Sequence, residues 1–123
     1  MIPFLIGAAL GAITAIGGIY VVSNWGELKA KFKEIINSIK QTFKKFAFRV
    51  QSAAKIFLRK VKEGYAEFKQ EQYYKENEKW FNTTTTVEIS KDEVPAWAKA
   101  SMRNNVRADV TEKMEEELEM KIA

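Results

Sequence analysis

Neither cysteine nor histidine occurs in the 123 residues of the chain. Without cysteine there is no disulfide framework, no thiolate metal site and no thiol nucleophile. Without histidine the commonest general base and the commonest metal ligand are both missing. A Ser-His-Asp arrangement is therefore excluded. Glycine is sparse too, at six residues, and the Gly17-Gly18 pair lies inside an apolar run, so there is no glycine loop to cradle a phosphate. Charge is absent from the whole first stretch, since Glu27 is the first ionisable acid or base among the side chains. The length suits one small domain.

What is present begins with that uncharged stretch. Residues 2–22 read IPFLIGAALGAITAIGGIYVV, without one Asp, Glu, Lys or Arg. A helix of that length covers roughly 30 Å, the hydrocarbon thickness of a bilayer. A cleaved signal would carry basic residues ahead of its apolar core, and only Met1 precedes this one. The expectation is a retained transmembrane helix over 1–23. All nearby basic residues follow it, which places the N-terminus outside and the C-terminus in the cytoplasm. Tyr20 and Trp25 then fall at the membrane interface. Gly7, Gly11 and Gly18 are candidates for self-association of spans, because small residues let helix backbones approach closely. Thr14 is the one polar side chain within the span, so an anchor is expected and a pore wall is not.

The net charge of +4 conceals an asymmetry. Between Glu27 and Lys62 eleven basic residues face two acidic ones, whereas residues 63–123 hold fourteen acidic and nine basic residues. From Leu28 the apolar positions Phe32, Ile35, Ile39, Phe43, Phe46, Val50, Ala53, Phe57, Val61, Tyr65 and Phe68 follow in steps of three or four, which is helix periodicity. The expectation is a basic amphipathic juxtamembrane helix over 24–63. Its Lys29, Lys33, Lys40, Lys44, Lys45, Arg49, Lys55 and Arg59 are candidates for contact with anionic lipid headgroups. The competing reading is a packing helix that buries the same stripe against protein.

Residues 64–82 are polar and aromatic, and a continued helix is expected there, with Gly64 as a kink or turn. Tyr73, Tyr74, Trp80, Phe81 and Trp97 form a candidate aromatic cluster, either core or partner surface. Thr83 to Ile89 is β-branched at six of seven positions, which favours a short strand or an extended linker. A strand with no mate in the chain is a template for another chain. Helices are expected at about 95–104, behind Pro95, and at about 110–121, behind Asp109. The run Glu115, Glu116, Glu117 and Glu119 reads as a solvated face, because consecutive carboxylates on a helix diverge.

Together these readings predict an all-α membrane protein with one span, a long basic helix and a small, mostly helical, acidic C-terminal region with at most one strand. The expected function is non-enzymatic, without metal or cofactor: a single-pass structural or adaptor subunit of a membrane complex. It would line the cytoplasmic face and contact a protein partner through its C-terminal region. The alternative is a membrane-perturbing effector, holin-like or toxin-like, acting as an oligomer. The expected partners are the bilayer with its anionic lipids, further copies of the chain and an unidentified protein. Nucleic acid is disfavoured, since no base-reading motif accompanies the basic residues.

Overall fold

Asn24 separates two kinds of backbone. Its side chain accepts a hydrogen bond from the Glu27 N–H at 2.9 Å and starts a helix, as a short polar side chain at that position does. Shortly before it, Ile19–Val21 form a strand. The structure is a computed structural model, and it describes residues 18–46, 49–62, 64–103 and 107–122. Strand β1 (Ile19–Val21) precedes helix α1 (Trp25–Lys45). A meander follows, of β2 (Arg49–Lys62), β3 (Tyr65–Glu76) and β4 (Lys79–Ser90). A 3-10 turn (Lys91–Glu93), α2 (Ala96–Ser101), β5 (Ala108–Asp109) and α3 (Thr111–Leu118) complete the order. The strands form one mixed sheet in the order β1-β4-β3-β2-β5, with β1 parallel to β4 and the other pairs antiparallel.

Alternation along the strands builds the core. Ala54, Ile56 and Leu58 of β2, Ala66 and Phe68 of β3, and Val87 and Ile89 of β4 all point to one face and are buried. Leu28, Phe32, Ile35, Ile36 and Ile39 of α1 pack onto them. Ala98, Met102, Met114, Leu118 and Ile122 extend the same cluster. All three described helices therefore cover one side of the sheet, and among the described residues the other side has no helix over it.

This architecture corrects the expected one. The chain is α+β around a five-stranded sheet, not all-α. No helix among the described residues is long and apolar enough to cross a membrane, so the single-pass membrane placement, with its outside N-terminus, is overturned. The physical reason lies at the end of the apolar run. A spanning segment must satisfy its backbone within its own helix. Here the Gly18 carbonyl accepts from Thr86 N–H at 2.8 Å and Val22 N–H donates to Glu88 at 3.0 Å, so this part of the run belongs to the sheet. Gly7, Gly11 and Thr14 lie outside the described residues.

The long basic helix is corrected as well. It ends at Lys45, and Phe46 N–H caps it on the Thr42 carbonyl. Beyond it the chain expected to stay helical to about 80 is a pair of long strands. The stripe Val50, Ala53, Phe57, Val61, Tyr65, Phe68 fits steps of three or four. The alternation Ala54, Ile56, Leu58 fits a period of two, and burial follows the second pattern. Gly64 stands at φ 83° in the β2–β3 turn, a conformation that glycine adopts without steric cost. The threonine run lies in β4, and it has mates: β3 along one side, and β1 at Thr86 to Glu88 on the other.

Candidate functional site

The uncovered side of the sheet carries the second set of alternating side chains. Lys55, Phe57 and Arg59 come from β2; Tyr65, Glu67, Lys69, Glu71, Tyr73 and Lys75 come from β3; and Trp80, Thr84, Thr86 and Glu88 come from β4. Ile19 and Val21 stand beside Thr86 and Glu88 in register and so share this side. The same register puts Tyr20 beside Val87, on the core side.

Most charges on this face are paired. Arg59 Nε donates to Glu67 Oε1 at 2.8 Å, and Lys69 Nζ lies 3.6 Å from the same oxygen. Arg107 Nη1 donates to Glu71 Oε2 at 2.8 Å, and the Tyr73 hydroxyl donates to Glu71 Oε1 at 2.6 Å. The Arg107 guanidinium also stacks 3.6 Å from the centre of the Phe57 ring, a favourable cation–π geometry. Lys55 lies 3.9 Å from Asp109. Glu67 and Glu71 are nearly buried beneath their partners.

Titration follows these contacts. The hydrogen bond to Glu67 holds the Arg59 guanidinium above its ordinary value, with the Glu67 charge adding to it. The Tyr73 phenol is raised, mainly because it donates to the Glu71 carboxylate. Asp109 is lowered, first by the Thr111 hydroxyl at 2.6 Å and then by the Thr111 N–H at 3.0 Å.

Among the described residues, exposure of large apolar side chains is confined to this same face. Ile19 is 75 % exposed, Val21 71 %, Trp80 63 % and Tyr65 39 %, and among the described residues these are the large exposed hydrophobic side chains. The two on β1 form an edge. Gly18 and Val22 direct their backbone groups to β4, so the intervening Ile19 and Val21 direct theirs away from it.

The residues expected to carry function are distributed differently. Trp25 is in the core side, 5.6 Å from Phe68 and 6.1 Å from Trp97. Both indoles donate to Glu117, Trp25 to Oε1 and Trp97 to Oε2, each at 3.1 Å. That ties α1, α2 and α3 together through one carboxylate. Lys31 Nζ sits 4.6 Å above the ring of Tyr20. Gly18 has little room, since a Cβ there would meet that ring at 3.1 Å. The cations grouped as one lipid-facing stripe are divided between two sides of the molecule. Lys29, Lys33, Lys40, Lys44 and Lys45 belong to α1, where Lys40 Nζ donates to the Lys121 carbonyl at 2.5 Å. Lys55 and Arg59 are on the open sheet face, and Arg49 opens β2 with a side chain outside the described set. The aromatic group divides too. Tyr74 is core, between Phe43 at 5.4 Å and Phe81 at 5.6 Å. Tyr73 and Trp80 are on the open face, with Lys75 5.9 Å over the Trp80 ring.

Glu67, Glu71, Arg107, Phe57, Ile19 and Val21 were not singled out from the sequence. Their signal is charge at even spacing, Lys55 and Arg59 four apart and Glu67, Lys69 and Glu71 at every second residue, in a segment whose helical stripe dominated the reading. Among the described residues no group of three or more carboxylates is placed to hold a metal ion. No protein-family model matches the chain, and neither does any curated protein or any solved structure.

Proposed function

We propose that this protein is a non-catalytic structural module that assembles with a second copy of itself through the open face of its sheet. One observation carries the reading: Ile19, Val21, Tyr65 and Trp80, the large exposed hydrophobic side chains among the described residues, all stand on the side that none of the described helices covers. Soluble surfaces scatter such residues singly, and their gathering on one face marks an interaction surface. Tyrosine, tryptophan and arginine are also the residues that dominate binding energy at protein interfaces.

Charge supports a protein surface as the occupant. Burying an unpaired charge is costly, and on this face Arg59, Lys69, Arg107 and Lys55 already have acids beside them. Covering the face therefore strands little charge. A polyanion such as nucleic acid would instead be met by unpaired cations. A near-neutral face of mixed sign is compatible with its own copy across a two-fold axis. The three long strands hold 14, 12 and 12 residues. At about 3.3 Å per residue and 4.8 Å between strands they project roughly 600 Å². Specific interfaces bury about 800 Å² per partner, which is of the same order.

Sedimentation of the full chain tests the reading. A reversible dimer is expected, which the pair Val21→Lys and Trp80→Lys converts to monomer while the thermal unfolding midpoint of the monomer is kept. A chain that stays monomeric at high concentration sinks the proposal. So does a dimer that survives both substitutions.

A further inference from the structure

One cleft of the molecule treats charge in the opposite way. Lys60, Lys91, Lys99 and Arg103 line an open cavity of about 330 Å³, with Met102 as the other lining residue. Met102 is buried and belongs to the core cluster, so it forms an apolar floor. Among the described residues no acidic side chain lines the cleft. Among the described residues none of the four cations has an acid within ion-pair reach. On the open sheet face, by contrast, four cations are each held by a carboxylate.

The backbone that presents these cations is fixed. Lys60 follows Leu58 by two residues on the helix side of β2. Lys91 N–H donates to the Gly64 carbonyl at 2.8 Å, joining the end of β4 to the β2–β3 turn. Lys99 N–H bonds the Pro95 carbonyl within α2, and Arg103 N–H bonds Ala100 just beyond it. Three separate stretches of chain thus converge four cations on one cavity. Like charges gathered in a concave wall repel each other and focus a positive potential, and an anion relieves both.

We infer that this cleft is a binding site for a small ligand carrying two phosphate groups. A phosphate ester carries a charge of about −1.5 to −2 near pH 7, so two such groups match four cations. Arginine contributes planar two-point recognition, and the lysines contribute point charges. The volume is at the small end of ligand pockets, about 300–1,000 Å³, which suits a compact diphosphate better than a long polymer.

The test is a titration of the full chain with inorganic pyrophosphate, followed by NMR of the Met102 methyl group. Saturable shifts of that methyl are expected, and Lys99→Glu combined with Arg103→Glu should weaken binding by about tenfold or more. Lys33→Glu combined with Lys44→Glu makes the same change of net charge on α1 and should leave the affinity unchanged. All four positions are exposed, and an unaltered methyl spectrum without ligand confirms that each variant is folded. No saturation, or equal weakening by the α1 pair, overturns the site. Tighter binding of a phosphoserine peptide than of pyrophosphate also overturns it, in favour of a protein ligand.

Discussion

Gln70 sits at the centre of β3, 1 % exposed, and neither atom of its amide has a hydrogen-bond partner among the described residues. Its register neighbours are Ile56 and Thr85, on the side that α1 covers. A buried polar group without a partner costs about 1–3 kcal/mol. Gln70→Met keeps the unbranched shape and removes the amide, so urea unfolding should show a gain of about that size; a loss would mean the amide is held. Asp109 works the other way. Its carboxylate accepts from both the hydroxyl and the N–H of Thr111 at the start of α3, and its pKa is lowered by them. A group whose folded pKa lies below its unfolded value stabilises the protein above the ordinary carboxylate range, and that stabilisation is lost as pH falls through the folded value. Acid should therefore weaken the protein at this site. Asp109→Asn should flatten the decline in urea midpoint between about pH 5 and 2. An unchanged slope would remove Asp109 from the account.

Among the elements, the β3–β4 hairpin shows how local chemistry and register act together. Glu76 pairs with Lys79, so the loop is the two residues Asn77 and Glu78, at φ 49° and 68°. Positive φ at both central positions matches the right-handed twist of the strands. Asparagine tolerates that conformation and glutamate does not, at a cost of about 1–2 kcal/mol for an ordinary residue. The exposed contact of Lys75 with Glu78, 3.4 Å, contributes little in return. Glu78→Gly should stabilise the protein by about 0.5–1 kcal/mol after glycine's own entropy is counted. A fall in the thermal midpoint would contradict the turn as described.

For the molecule as a whole, stability rests on one core between the sheet and the helices packed on it. Phe68 is fully buried there, against Trp25 at 5.6 Å and Phe32 at 6.5 Å. Phe68→Ala should cost about 3–5 kcal/mol, which is a large share of the roughly 5–15 kcal/mol by which small domains are stable. Loss of helix and strand signals in one transition, at a much lower denaturant midpoint, is the expected result. Separate transitions for the two would show that the layers do not share one core. Among the described residues the same two-layer plan leaves the opposite sheet face open, and from that comes the proposed assembly. The end of the sheet near α2 gathers the unpaired cations, so one chain presents a neutral face for protein and a positive cleft for phosphate.

Local features were legible in the residues themselves. Asn24 and the stripe Leu28, Phe32, Ile35, Ile39 specify the start and buried side of α1, and β-branching at Thr83 to Ile89 specifies an extended chain. Pro95 and Asp109 stand at the starts of the last two helices. These signals act within a few residues, by sterics and by hydrogen bonds to the adjacent backbone. Pairing was not legible. Residues 53–68 satisfy a helical and a strand period at once, and the choice is made by the sheet, in which β3 bonds to β2 on one side and to β4 on the other, pairings that no local pattern encodes. The apolar run ending at Val22 met every requirement of length and charge for a span. What decided Ile19–Val21 was the free edge of β4, a neighbour about 65 residues away, which takes the backbone hydrogen bonds of the flanking Gly18 and Val22 and so holds the segment in the sheet. The partition of charge was also tertiary. Lys55 and Arg59 resemble Lys60 in sequence, but the first two face acids across the strands and the third faces three other cations, because the pleat sends alternate side chains to opposite sides.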